Sequence, residues 1–190
     1  MYYQDILQRE LLLKCGGSDI PRPKSVVLTI SLSDTRLGQQ MASKSDLLLY
    51  KLALEHVAGR PAEFLAPPNK HHNTDKADGV QVTLVGGEMF SFLEKLVYSI
   101  LPNQIGFEGV SLPAVDRTSL ESKKSRMLLH VSEFKVTNML LYPDFEQNFD
   151  LFEPLRSMHV KVVVENASSP AAAQLLLCGL GLPVMSQVGA

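Results

Sequence analysis

The side chains able to do chemistry are few, and most stand at spacings that disarm them. His71 and His72, followed by Asp75 and Asp78, are of the types that bind zinc. Adjacent histidines in a helix or strand cannot both face one ion, and neither H-x-x-x-H nor C-x-x-C accompanies them. A solvated loop is the simpler account, and no metal or cofactor is expected. Gly86-Gly87 follows one apolar run and precedes an amphipathic one, so its free N–H groups could hold an anion, with Glu88 beside them. That would suit a small enzyme acting on a phosphorylated ligand, but both G-x-G-x-x-G and the Lys-Ser/Thr of a P-loop are missing. No G-x-S-x-G nucleophile motif occurs. Asp144, Glu146, Asp150 and Glu153 have the wrong spacing for a calcium loop and read as a solvated acidic loop. Cys15 and Cys178 each sit in apolar surroundings without a nearby partner, as free buried thiols of a reducing compartment do. No catalysis is expected.

What remains is a strand lined with hydroxyls. Val26, Leu28, Ile30 and Leu32 alternate with Val27, Thr29, Ser31 and Ser33, so one face is apolar and the other largely hydroxyl. Arg22 and Lys24 precede this strand and Arg36 follows it. Hydroxyl and cationic side chains donate to phosphate and ribose oxygens. The solvent face of any antiparallel sheet looks much the same, and the residues alone leave both accounts open. Charge leans against a polyanion partner: 18 Lys and Arg meet 20 Asp and Glu, a net charge of −2. Residues 1–60 carry eight basic against six acidic residues, and residues 136–190 two against five, so a nucleic-acid contact belongs in the N-terminal part.

The elements that must position these residues form a mixed pattern. Of the 190 residues 45% are hydrophobic and 20% charged, which is globular composition and enough chain to bury its own core. No apolar stretch is long enough to span a membrane, and the first residues do not read as a signal peptide. Helical spacing marks Tyr3–Lys14, and a helix from an N-cap at Ser43 to about Ala58 with Leu47, Leu48, Leu52, Leu54 and Val57 as its apolar surface. A third helix, Glu88–Leu101, follows the strand Val80–Val85, and a fourth begins near Ser168-Ser169-Pro170. Leu128–Val136 and Met158–Val164 alternate as strands. Helices and strands mix without steady βαβ alternation. The expectation is therefore α+β: a single antiparallel sheet with helices packed on one face, in one domain over 1–190 with an exposed loop at 66–79 and a flexible end at 183–190.

The ordered segments carry a resemblance. YYQDILQRELLLK, IPRPKSVVLTISLS, GVQVTLVGGEMFSFLEKLVYSILP (residues 79–102), GFEGVS, LLYPDFE and FDLFEPLRSMHVKVVVENAS (149–168) follow one another as the segments of the universal large-subunit ribosomal protein L-five family do, over roughly residues 3–182. Both ends are similar to plant-type mitochondrial members. The resemblance implies a structural constituent of the large ribosomal subunit that binds 5S rRNA or its equivalent, and large-subunit rRNA, in the central protuberance. It implies neighbouring ribosomal proteins there, the small-subunit head across an intersubunit bridge, and P-site tRNA as partners, no membrane, and a mitochondrial location. Carried onto this sequence, the RNA-binding residues would be Arg22, Lys24, Thr29, Ser31, Ser33 and Arg36. A tRNA-facing loop would present Lys70, His71, His72 and Lys76. The alternative is a protein-interaction module of a ribosome-like assembly that has lost direct RNA binding, which the near-neutral charge favours.

Overall fold

A computed structural model describes residues 3–15, 20–31, 44–65, 77, 79–107, 109–111, 114–115, 129–155 and 157–185. The elements in order are a π-turn at Tyr3–Leu7 running into α1 (Gln8–Cys15), β1 (Arg22–Ser31), α2 (Lys44–Ala58), β2 (Glu63–Leu65), β3 (Gly79–Leu84), α3 (Gly86–Lys95), β4 (Ala114–Val115), β5 (His130–Val136), α4 (Phe149–Phe152), β6 (Met158–Glu165) and α5 (Pro170–Gly179). The strands form one six-stranded open sheet in the order β2-β3-β1-β6-β5-β4, so the fold is α+β. Pairing is antiparallel between β1 and β3, β2 and β3, and β4 and β5. Each of the four longer strands buries alternate residues, as a sheet covered on one face must.

By its internal contacts the chain falls into two compact units, one of Val26–Phe107 with Lys135–Val160, the other of Met1–Ser25, Glu108–Phe134 and Lys161–Ala190. In the first, Val26, Leu28 and Ile30 of β1 and Val80, Val82 and Leu84 of β3 are buried together with Tyr50, Ala53, Leu54 and Val57 of α2 and Met89, Phe92 and Leu93 of α3. Each buried Val, Leu, Ile, Met or Phe among them stabilises the fold by about 1.5–3 kcal/mol. The expected apolar surface of α2 is corrected here. Leu48 and Leu52 are exposed, because Tyr50 and Ala53 turn the inward face of the helix around to the Leu54–Val57 side. Gly79 must be glycine, since a Cβ there would come 2.4 Å from the carbonyl oxygen of Ile30 on the paired strand.

Three boundaries move for identifiable reasons. β1 starts at Arg22 rather than Val26, with Pro23 tolerated near the strand's beginning. Its expected last residues, Leu32 and Ser33, lie outside the described residues. The third helix starts at Gly86, not Glu88. Val85 is its extended N-cap, and Gly86 takes φ +62°, a conformation that glycine alone adopts without strain. That helix loosens into a π-segment at Leu96–Ile100 and a 3₁₀ turn at Leu101–Asn103, where Pro102 cannot continue it. The expected acidic loop is wound: Pro143–Asn148 is 3₁₀ and Phe149–Phe152 is α-helical, pinned by the buried rings of Phe145 and Phe152, whose centroids stand 4.6 Å apart.

In the second unit, Leu7 and Leu11 pack with Ala173, Leu176 and Leu177 in a core beneath α1 and α5. Tyr3 donates its hydroxyl to the carbonyl of Pro21 at 3.3 Å. α5 is capped as expected: the Ser169 side chain accepts from the Ala172 amide, with Pro170 at the first position. Of the thiols, Cys15 is half-buried and Cys178 exposed on α5, so the expectation of a buried Cys178 fails. Pro183–Met185, part of the end expected to be flexible, are hydrogen-bonded on either side of Val110, with Val184 bridged to Val110. Residues 186–190 lie outside the described residues.

Candidate nucleic-acid interface

The outward face of the β1–β3–β2 corner is built by register. Val27 stands opposite Thr83, Thr29 opposite Gln81, and Gln81 opposite Glu63. Directly opposed residues share a face, so Thr29, Gln81 and Glu63 form one row across three strands, beside a row of Val27 and Thr83. Thr29 and Gln81 are half-buried and Thr83 and Glu63 exposed. The face therefore offers hydroxyls, an amide and one carboxylate, with no cation among them.

At its margin lies an open cleft of about 540 Å³, lined by Gly59, Arg60, Pro61, Glu63, Gln81, Val82, Thr83 and Glu88. Its position follows from the shortness of β2, which pairs with β3 only at Gly79–Gln81 and leaves Val82–Leu84 without a strand on that side. Arg60 leaves the end of α2, where Gly59 (φ +66°) turns the chain out, and its Nε donates to Glu88 in the first turn of α3. Glu88 is itself well placed at a helix N-terminus, where a negative charge is favoured.

The residues expected from sequence are placed unevenly. Thr29 and Ser31 lie on the outward face of β1. Arg22 and Lys24 are exposed at the start of the same strand, but alternation gives them the parity of Val26, Leu28 and Ile30, opposite to that of Thr29 and Ser31. Arg22 and Glu165 both lie near Tyr3. Burial pushes the Tyr3 phenol above its ordinary pKa, while the Arg22 charge pulls it down and Glu165 pushes it up. Ser33, Arg36, Lys70, His71, His72 and Lys76 lie outside the described residues, as do Asp75 and Asp78. Gln81, Thr83 and Arg60 were missed. Only the pairing register, which brings β3 beside β1, could have found the first two. Among the described residues no group of three or more His, Cys, Asp or Glu could hold a metal ion, and no helix is long and apolar enough to cross a membrane.

No family model matches the chain. Curated proteins do. The chain is 22% identical to the large ribosomal subunit protein uL5m of Reclinomonas americana, over 96% of this chain and 95% of that protein. It is 31% identical to the large ribosomal subunit protein uL5 of Symbiobacterium thermophilum, over 86% of this chain and 83% of that one. A 107-residue stretch is 35% identical to the uL5 protein of Streptococcus suis, covering 56% of this chain and 52% of that protein. Near-complete coverage of relatives that share one description, on an α+β sheet as the ordered motifs imply, establishes that the chain belongs to the uL5 family of large ribosomal subunit proteins, whose role is structural rather than enzymatic.

Proposed function

We propose that the chain is an RNA-binding constituent of a mitochondrial large ribosomal subunit, held on 5S rRNA or its equivalent and on large-subunit rRNA in the central protuberance. The observation that carries this is the polar, uncharged run Thr29, Gln81 and Thr83 on the outward face of β1 and β3, in a chain whose relatives are large-subunit proteins over nearly their whole length. Hydroxyl and amide groups on a flat sheet can donate to ribose and phosphate oxygens without carrying charge. That reconciles RNA binding with a net charge of −2. Ser31, together with Ser33 and Arg36, belongs to the same proposed contact; Arg22 and Lys24, on the other parity of β1, are proposed as RNA contacts from the family resemblance. Contacts of Lys70, His71, His72 and Lys76 with P-site tRNA, and of the chain with neighbouring proteins and the small-subunit head, are proposed from the family resemblance. The mitochondrial location is supported by the similarity to the Reclinomonas uL5m protein.

The test is sedimentation of the tagged chain with large subunits from mitochondria, followed by crosslinking to RNA. Co-sedimentation with a 5S rRNA crosslink is expected; a chain that stays at the top of the gradient would sink the proposal. Replacing Thr29, Gln81 and Thr83 together by alanine is expected to lower 5S rRNA incorporation at least tenfold. The near-neutral charge favours a second reading, a protein-interaction module that keeps the fold without RNA. Co-sedimentation without any RNA crosslink is its signature.

A further inference from the structure

The cleft beside the RNA face has the wrong charge for a phosphate. Its described lining carries one guanidinium, Arg60, against two carboxylates, Glu63 and Glu88, with the amide of Gln81 and the hydroxyl of Thr83 between. Arg60 is already engaged by Glu88 through Nε. The Glu63 carboxylate, the Gln81 amide and the Thr83 hydroxyl have no partner among the described residues. A phosphate entering here would meet net negative charge, whereas a neutral group rich in N–H donors would meet two acceptors. At about 540 Å³ the cleft lies in the size range of sites for small organic groups.

We infer that this cleft takes an unpaired guanine base turned out of the bound RNA. The inference rests on the RNA-binding reading above and gives that face a specific pocket. Guanine alone among the RNA bases presents two adjacent N–H donors, at N1 and N2, on its Watson–Crick edge. A carboxylate accepts both at once, so Glu63, the carboxylate that Arg60 leaves free, can read that edge. The Gln81 amide or Thr83 hydroxyl can donate to the guanine O6. Arg60, bound at its Nε edge by Glu88, keeps the planar form that stacks on a base. Adenine and cytosine present a single amino group and uracil a single imino N–H, so each forgoes the second charge-assisted hydrogen bond that guanine makes to the carboxylate.

The full chain, ¹⁵N-labelled, is titrated with the pentaribonucleotide UUGUU, with the same strand carrying inosine (which lacks the N2 amino group) in place of guanine, and with inorganic phosphate. The side-chain amide signal of Gln81 is followed. UUGUU is expected to shift it and to bind about tenfold more tightly than the inosine strand, with phosphate leaving it in place. E63Q, at an exposed position, is expected to erase that preference, whereas E146Q, the same charge change outside the cleft, keeps it. Equal affinity for the guanine and inosine strands, or a Gln81 shift produced by phosphate, overturns the inference. Binding of intact 5S rRNA, measured on the same preparation, separates the two levels. If it persists while the guanine preference is absent, only the pocket assignment fails; if it is lost while the preference holds, the pocket stands and the 5S reading falls.

Discussion

Tyr142 is fully buried, stacked on Phe92 at 6.4 Å and edge-on to Phe145 at 6.3 Å, and its hydroxyl has no hydrogen-bond partner among the described residues. A buried hydroxyl without a partner gives back none of its desolvation cost. Tyr142→Phe is therefore expected to leave stability unchanged or raise it by up to about 1 kcal/mol, read from urea midpoints. Burial, with the Asp144 charge behind it, pushes the phenol far above its ordinary pKa of 10.0. The sign follows: below the unfolded pKa both states are protonated and the stability is intact. Above about pH 10 only the unfolded chain ionises, so stability falls with rising pH. Y142F should flatten that alkaline fall, and an unchanged slope between pH 9 and 11 would contradict the assignment. Gly79→Ala should cost about 1–3 kcal/mol, because its Cβ would meet backbone rather than a movable side chain. At this scale the sequence made Thr29 legible, since its hydroxyl stands out in an apolar alternation. Arg60 was not: it is an ordinary charge at a helix end until the fold brings it to Glu88, which the sequence offered only as a neighbour of Gly86-Gly87.

Among the elements, strong periodicity was read correctly. The cores of β1, β3, β5 and β6 and the capped start of α5 fall where alternation and Ser169-Pro170 place them. Ser169→Ala should cost about 1 kcal/mol in thermal unfolding, the usual loss on removing an N-cap. β2 was invisible because Glu63–Leu65 is three residues long and pairs only through a partner distant in sequence. The acidic stretch reads as a loop in sequence because its polar residues hide the two rings that anchor it. Phe145 touches both Tyr142 and Phe152, and His56 of α2 meets Phe152 edge-on at 5.9 Å. Phe145→Ala is accordingly expected to cost about 3–5 kcal/mol, far more than a loop position would, and loss of the near-ultraviolet aromatic signal would report the same collapse. The ion pair from Lys95 to Asp144, at 3.1 Å between an exposed ammonium and a half-buried carboxylate, should contribute no more than about 1 kcal/mol.

For the molecule as a whole, composition alone points away from its family. A net charge of −2 is poor material for holding RNA by counterion release. If the contact runs through hydroxyls, amides and a base pocket, its affinity should fall less steeply with salt than that of a basic ribosomal protein. A slope of log affinity against log salt steeper than about −3 would show that several phosphates are neutralised after all. What made the family legible was the order of motifs over the whole chain, which no local periodicity supplies. The position of the cleft was not legible, since it depends on where β2 stops.

The division of the chain into two compact units has a temporal side. One unit is drawn from both ends and the middle, Met1–Ser25, Glu108–Phe134 and Lys161–Ala190, whereas the other is complete once Val160 has been made. During synthesis Val26–Phe107 and Lys135–Val160 can therefore settle before Pro170–Gly179 has been made, but α1 must wait for α5. Until then Leu7 and Leu11 lack the apolar cover that α5 gives them in the folded chain.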